Sequence, residues 1–366
     1  MKTRSKHWSP PFCPNPNCLC HGKLNQNWAF KRAGYYRRQY DNKRIQRFTC
    51  LHCKRSFSTQ TFSTTYWLKR PDVLASLFPK VNGCMCNRQI ARELKSSPST
   101  IDRQISRLAR HCILFHQSMI QDMNPPSEIV IDGFESFELS QYFPTHHHVA
   151  VEKDTDFFIY FTDSPLRRKG RMTPEQKKRR ENLENVLGRP DPKAIEKDMK
   201  ELLEVTLKDA LSAVVYSDDH RAYPRSIQQL DCHIRHDITP GSDHRDSNNP
   251  LFPANLLDLL IRHSNSNHKR ETIAWSKRRQ AGAERLVILL VWRNYMKGRW
   301  EKERGSPTPA MVKGLTDRPL EIEDILDGRI FRSEQELPPR WAEYYERKVE
   351  TVGLVRNRHH ELSYAF

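Results

Sequence analysis

The sequence lacks a hydrophobic run long enough to cross a membrane, because no stretch of about 18 apolar residues occurs in it. The nearest candidate, LVILLVW at 286–292, is short and flanked by charge, which predicts a buried helix segment. The basic N-terminus also lacks the apolar stretch of a secretory signal. We therefore expect a cytoplasmic protein with no membrane association.

Acidic residues are scarce relative to basic ones. The chain has 44 Asp and Glu against 61 Lys and Arg, a formal net charge of +17 and a pI near 9.5. An enzyme of small metabolites seldom needs such a charge, and nucleic acid is the simplest partner that explains it. A ribosomal or membrane-surface protein is the alternative from charge alone. The 366 residues allow two or three domains with packed cores.

Cysteines are few and unevenly spread. Nine of them, an odd number with a close pair near residue 50, favour metal binding in a reducing compartment over a disulfide framework. In residues 1–62, two cysteine pairs flank a basic, aromatic segment that predicts a β-hairpin too small to fold without metal. This pattern predicts a zinc ribbon, with Cys20 and His21 as competitors for the second ligand. The expected Zn²⁺ ligands are Cys13, Cys18, Cys50 and Cys53.

The hairpin segment carries basic side chains that could follow the phosphates of DNA, although a solvated strand face explains them equally well. These residues are Arg37, Arg38, Lys43, Arg44 and Arg47.

Residues 71–118 have the spacing of a helix-turn-helix. Pro71 opens a first helix, and two further helices flank the turn-like segment KSSPS, in which Ser99 is the expected N-cap. A helical hairpin that does not touch DNA is the alternative. The side chains expected to face outward, where they would reach DNA, are Thr100, Arg103, Gln104 and Arg107.

Residues 127–300 have a mixed pattern of strands and helices. Three apolar segments predict an antiparallel meander, followed by a helix, a fourth strand, a short helix, a fifth strand and a helical stretch from about 255 to 297. A basic insertion covers about 164–193, and 301–366 is the C-terminal tail. This order predicts a ribonuclease H-like mixed sheet with its first and fourth strands adjacent. The fold class expected for the whole chain is α+β multidomain.

Three acidic residues outline a two-metal site. Asp132 and Asp218 lie in or at the end of predicted strands, and Glu271 lies in the predicted helical stretch. Three carboxylates suit two Mg²⁺ or Mn²⁺ ions about 4 Å apart, which can act on both oxygens of a phosphodiester. Asp219 and Glu284 are the competing acids, and coincidence among scattered acidic residues is the plain alternative.

Two further groups of residues stand near these acids. Lys277 and Arg278 would neutralise DNA phosphates, although a basic helix face is often only solvated. Three consecutive histidines at 146–148 suggest metal binding, but neighbouring residues of a strand face opposite ways, so we expect a solvated turn.

The chain resembles transposases of the insertion-sequence-one family and related zinc-ribbon elements over most of its length. The resemblance lies in the order and content of QRFTCLHCKRSF, NGCMCNRQIARELKSSPSTIDRQI, IDGFESF, YSDDHRAY and NHKRETIAWSKRRQAGAERLVILLVWRNYMK. It implies a DDE transposase whose catalytic acids are Asp132, Asp218 and Glu271. The chain departs from the family at Gly133, where a second acidic residue is frequent, and in the basic insertion.

The resemblance also implies partners and a setting. A bacterial, nucleoid-associated enzyme would bind the terminal inverted repeats of its element and the target, both double-stranded DNA. Pairing two DNA ends would require a homo-oligomer. The alternatives are a DNA-binding regulator that has lost the chemistry and a ribonuclease H-like nuclease that cleaves without joining.

Overall fold

The computed structural model describes residues 8–22 and 28–357 of the chain. Residues 1–7, 23–27 and 358–366, which belong to the predicted ribbon and the predicted tail, lie outside the described residues. Within the described ranges the protein is an α+β protein with a three-stranded and a five-stranded sheet.

The three-stranded sheet is antiparallel and lies near the N-terminus. It consists of β1 (Phe30–Arg37), β2 (Arg44–Cys50) and β3 (Ser56–Ser58), in that order, with a 3-10 helix at Thr59–Phe62. β1 and β2 form the hairpin that the sequence predicts. Phe48 of the central strand is fully buried in a small aromatic core, which leaves little apolar area to stabilise this unit.

Three helices follow the first sheet. They are α1 (Asp72–Asn82), α2 (Asn87–Glu93) and α3 (Pro98–Ile120). The N-cap of α3 is Ser97, whose hydroxyl accepts a hydrogen bond from the main-chain N–H of the third residue of the helix at 3.1 Å. The prediction of Ser99 as N-cap is wrong, because proline fits the first turn of a helix and the helix therefore starts earlier.

The five-stranded sheet has the order β6-β5-β4-β7-β8. β4, β5 and β6 form an antiparallel meander, and β7 and β8 continue the sheet parallel to β4. All five predicted strands are present, and the first and fourth of them are neighbours as predicted. The strands are β4 (Glu128–Phe137), β5 (Pro144–Glu152), β6 (Phe158–Pro165), β7 (Ser212–Ser217) and β8 (His233–Ile238).

The remaining helices surround this sheet. They are α4 (Pro174–Leu187), α5 (Ala194–Thr206), α6 (Ala222–Ile227), α7 (Phe252–Ser264), α8 (Arg279–Val291), α9 (Pro309–Val312), α10 (Ile322–Ile325) and α11 (Pro339–Glu346). α8 continues as a π-helix at Trp292–Met296, and a 3-10 helix covers Arg332–Glu334. α4 lies in the predicted basic insertion and buries none of its residues. In the described ranges, no helix combines the length and apolar character that crossing a bilayer requires.

One large apolar core joins the helices to the five-stranded sheet. It contains residues of α1, α2, α3, four strands of the sheet, α8 and α11. The predicted C-terminal tail takes part, because Trp341 is fully buried and its indole N–H donates to the carbonyl of Phe161 at 3.2 Å. Several described residues after 301 are therefore part of this core.

The histidines of β5 are buried, so the prediction of a solvated turn is wrong. His146, His147 and His148 lie on a strand that has neighbours on both sides and helices over its faces. The His147 ring stacks on Phe134 with 4.9 Å between centroids, and His148 Nε2 lies 2.9 Å from the hydroxyl of Ser164. A strand covered on both faces buries every residue, whatever the alternation of its side chains.

Candidate functional site

Four cysteines beside the three-stranded sheet form a cluster that could hold a zinc ion. The Sγ atoms of Cys13 and Cys53 are 3.7 Å apart, those of Cys18 and Cys50 are 3.9 Å apart, and all four lie within 4.8 Å of one another. A tetrahedral zinc with Zn–S bonds of about 2.3 Å requires sulfurs about 3.8 Å apart. Burial raises the pKa of the Cys13 thiol, so its ionisation calls for a nearby positive charge such as Zn²⁺. The cysteines therefore fit this metal.

The competing zinc ligands are placed differently. His21 Nδ1 donates to the carbonyl of Cys13 at 2.7 Å, and its Nε2 lies 2.5 Å from the hydroxyl of Ser333, so both ring nitrogens are engaged. Cys20 joins Cys18 and His52 in a second, overlapping group of three candidate ligands. Cys18 belongs to both groups, and the set of four thiols is the larger and more buried one.

The hairpin of β1 and β2 exposes three of the predicted DNA-binding arginines. Arg37 and Arg44 face each other directly across the two strands, and both are exposed, as is Arg47. The Arg44 guanidinium lies 3.8 Å from the centre of the Tyr35 ring. Like charges directly opposite in a sheet repel. An anion bound over this face would remove the repulsion.

Three other residues of the predicted DNA-binding set are engaged within the protein. Arg38 binds Asp41, with Nε 2.8 Å from Oδ1. Gln104 and Arg107 are buried, and they donate to main-chain carbonyls at 3.0 and 2.6 Å. The expectation that these two side chains of α3 face outward is wrong, because the segment before α1 covers that side of the helix. Nothing in the helical periodicity of residues 71–118 indicates this second buried face.

The rest of the predicted DNA-binding set is at least partly accessible. Arg103 on α3 is exposed, and Thr100 is partly buried with its hydroxyl 2.9 Å from that of Ser97. Lys277 is exposed, with its ammonium 3.9 Å from the centre of the Trp275 ring. Arg278 is partly exposed and immediately precedes α8.

Asp132 and Asp218 meet on adjacent strands. β4 and β7 are parallel neighbours in which Val130 pairs with Tyr216. Because alternate residues of a strand share a face, Asp132 and Asp218 follow these two residues on one face of the sheet. Asp218 directly follows β7, and its Oδ1 accepts from the main-chain N–H of His220 at 3.0 Å.

The electrostatic surroundings of Asp132 suit a cation. Burial first, and then the negative charges of Asp218 and Asp258, raise the pKa of Asp132 to about 7. The main-chain N–H of Gly133, 2.7 Å from Oδ1, and the positive charge of Arg245 act in the opposite direction. A carboxyl group whose pKa is raised by burial and by neighbouring negative charges is favoured in its ionised form when a divalent cation lies beside it.

Glu271 lies apart from any helix. The predicted helical stretch is interrupted between α7 and α8, and Glu271 is exposed in this interruption. The helix prediction fails here because buried polar side chains bond to one another instead of extending a helix, as Asn267 does with Ser276 at 2.9 Å. The competing acid Glu284 is on α8, buried, and forms an ion pair with Arg347 at 3.2 Å.

Gly133 has a packing reason for being glycine. A Cβ atom at this position would lie 2.1 Å from Cε1 of His146, much closer than van der Waals contact. The neighbouring strand therefore leaves no space for a side chain after Asp132. The acidic residue that the resemblance leads one to expect at this position cannot fit beside His146.

The sequence gives little signal for two other residues near the aspartates. Asp258 lies in α7 within the apolar segment LLDLL, where a single carboxylate on a helix is easily taken for a surface residue. Tyr223 lies in α6 and is only 2% exposed. Burial, and then the charges of Asp132 and Asp218, raise the pKa of Tyr223 well above its ordinary value.

No protein-family model matches this chain, and no curated protein matches its sequence.

Proposed function

We propose that this protein is a DNA transposase that binds the terminal repeats of its element and carries out metal-dependent strand cleavage and strand transfer. The observation that carries the proposal is the placement of Asp132 on β4 and of Asp218 directly after the adjacent parallel strand β7, two residues beyond the pair Val130 and Tyr216. The resemblance in sequence to transposases of the insertion-sequence-one family supports the same conclusion.

The architecture that we propose has three parts. The order of a meander followed by two parallel strands supports a ribonuclease H-like catalytic domain. The four cysteines beside a small antiparallel sheet support a zinc ribbon. The helices α2 and α3, joined by a short turn, support a helix-turn-helix that contacts DNA through exposed residues such as Arg103.

In the proposed catalytic site, Asp132 and Asp218 bind divalent cations, and Glu271 is the third ligand that the sequence suggests. Bound Mg²⁺ or Mn²⁺ ions would supply Lewis acidity to the phosphodiester and lower the pKa of the attacking hydroxyl. The sheet positions both carboxylates, because Asp132 lies on β4 and Asp218 directly follows β7. Arg245, exposed on the loop between β8 and α7 and near Asp132, would attract a DNA phosphate.

The positive surface supports DNA as the partner. The net charge of +17 and the opposed pair Arg37 and Arg44 both call for a polyanion, and phosphates of double-stranded DNA would relieve the repulsion. Lys277 and Arg278 would add contacts near the catalytic domain. Joining two element ends to one target would require at least two copies of the chain on DNA.

A strand-transfer assay with two adjacent variants tests this proposal. The substrate is a DNA duplex with the terminal sequence that flanks the gene, incubated with target plasmid and Mg²⁺. Asp218→Asn should abolish cleavage and joining, whereas the control Asp219→Asn should retain both, because Asp219 is exposed. Equal activity of the two variants would refute the assignment. Cleavage without joining would identify a nuclease, and DNA binding without cleavage by the unaltered protein would identify a regulator.

A further inference from the structure

We propose that Asp258 on α7, and not Glu271, supplies the third carboxylate of the divalent-metal site that Asp132 and Asp218 form. This inference rests on the proposed function and specifies its site. Asp258 lies outside the sequence motifs on which the resemblance to transposases rests.

The packing of α7 against the sheet brings Asp258 to the two aspartates. Leu251, the N-cap of α7, and Ala254 within the helix share an apolar cluster with Val130 of β4 and Tyr216 of β7. Asp258 is four positions after Ala254, and residues with this spacing lie on one face of a helix. The face of α7 that covers Val130 and Tyr216 therefore also carries Asp258.

The strands contribute the aspartates from the same side of the sheet. Asp132 shares a strand face with Val130, and Asp218 shares one with Tyr216, by the alternation of strand side chains. β4, α7 and β7 with the residue that follows it thus each contribute one member of the apolar cluster and one acidic residue on the same side. The charge of Asp258 acts on Asp132 together with that of Asp218, which is consistent with this arrangement.

One oxygen of Asp258 is held and the other is free to bind a ligand. Oδ2 accepts from Arg262 Nε at 3.0 Å, within the same helix. Oδ1 is buried and has no hydrogen-bond partner among the described residues. Carboxylates that bind metals are commonly oriented by a hydrogen bond to one side, as Arg262 provides here. A cation would satisfy the second oxygen.

Tyr223 of α6 is a further buried residue close to these aspartates. It is only 2% exposed. Burial, and then the charges of Asp132 and Asp218, raise its pKa well above the ordinary value, which is consistent with a position of α6 beside the two strands.

Glu271 differs from Asp258 in its exposure and in its position in the fold. It is exposed, it lies on the segment between α7 and α8, and the apolar cluster that fixes α7 on the sheet contains no residue of that segment. A carboxylate on a helix packed against the strands is held more precisely than one on an exposed connection.

Binding of Mn²⁺ to the full-length, zinc-loaded protein tests the inference without relying on activity. Free Mn²⁺ is measured by electron paramagnetic resonance during titration of the unaltered protein, Asp258→Asn, Glu271→Gln and Arg262→Gln. We expect Asp258→Asn to weaken binding by about tenfold or more. Glu271→Gln should leave binding unchanged, and Arg262→Gln should retain most of it because the carboxylate remains. Weakened binding in Glu271→Gln with unchanged binding in Asp258→Asn would overturn the inference.

Cleavage of the unaltered chain by bound iron provides a test that needs no variant. Fe²⁺ in place of Mn²⁺, with ascorbate and peroxide, produces radicals that cut the backbone near the metal, and mass spectrometry identifies the cuts. We expect cuts near residues 132, 218 and 258, and competition by Mg²⁺. Cuts near 271 and none near 258 would refute the inference.

The two proposals can fail separately. If the unaltered protein joins DNA and Asp218→Asn does not, while Asp258→Asn binds Mn²⁺ and joins DNA normally, the third ligand is wrong and the transposase assignment stands. If Mn²⁺ binding depends on Asp258 but no DNA is cut, the metal site stands and the transposase assignment is wrong.

Discussion

Lowering the pH from about 7 to about 5 should destabilise the fold through histidines that are buried in their neutral form. His111 and His116 of α3 are fully buried, and burial lowers the pKa of each to about 4 from the ordinary 6.5. His116 Nε2 donates to the carbonyl of Ile159 at 3.0 Å, and its Nδ1, 2.9 Å from the hydroxyl of Tyr295, accepts from that group. This pair of bonds requires a neutral ring.

The sign and size of the effect follow from the two pKa values. Well above pH 6.5 each histidine is neutral in both the folded and the unfolded protein, so its contribution to stability is complete. As the pH falls from 6.5 towards 4, the unfolded chain binds a proton that the folded protein does not, and stability is lost. At pH 5 the loss is about 2 kcal/mol for each such histidine.

The assay is urea unfolding as a function of pH, with the slope of unfolding free energy against pH as the readout. Replacing His116 with Gln removes one titrating group, so the slope between about pH 4.5 and 6 should fall by about 1.4 kcal/mol per pH unit. The control is His263→Gln, because His263 is exposed. An unchanged slope in His116→Gln would refute the reasoning, since it would mean that this ring titrates alike in both states.

Two further predictions concern the candidate zinc ligands and the proposed DNA-binding surface. Cys50→Ser should abolish the zinc content measured by mass spectrometry and destabilise the first sheet by several kcal/mol, of the order of a structural zinc site, whereas Cys232→Ser, outside the cluster, should retain the metal. Arg103→Ala should weaken binding to duplex DNA and reduce its salt dependence by about one phosphate contact, as measured by fluorescence anisotropy. Gln104→Ala should lower the unfolding free energy and leave DNA affinity unchanged, because Gln104 is buried. Weaker DNA binding by Gln104→Ala with unchanged stability would contradict the orientation of α3.

The elements with a strong local signal could be predicted from the sequence. The apolar, β-branched runs around Asp132 and Asp218 predict strands that are present, because a buried strand needs such residues along its whole length. The spacing of Cys13, Cys18, Cys50 and Cys53 predicts a cluster whose four sulfurs do lie together. In both cases the signal is a short local pattern: an apolar run in each strand, and two pairs of closely spaced cysteines.

Features that depend on distant parts of the chain could not be predicted. Gln104 and Arg107 are polar, and only the segment before α1 explains their burial. The histidines at 146–148 are buried because strands and helices from elsewhere surround β5. Asp258 has no distinctive sequence context, and its proximity to Asp132 arises from the packing of α7 on the sheet.

The most direct test of the central claim is the metal preference of Asp132→Cys in DNA cleavage. Mg²⁺ is a hard cation that binds oxygen ligands and accepts a thiolate poorly, whereas Mn²⁺ is softer and tolerates sulfur better. If Asp132 binds the catalytic cation, Asp132→Cys should be inactive in Mg²⁺ and regain cleavage in Mn²⁺, while Asp219→Cys should be active in both. Activity of Asp132→Cys in Mg²⁺ equal to that of the unaltered protein would contradict the account.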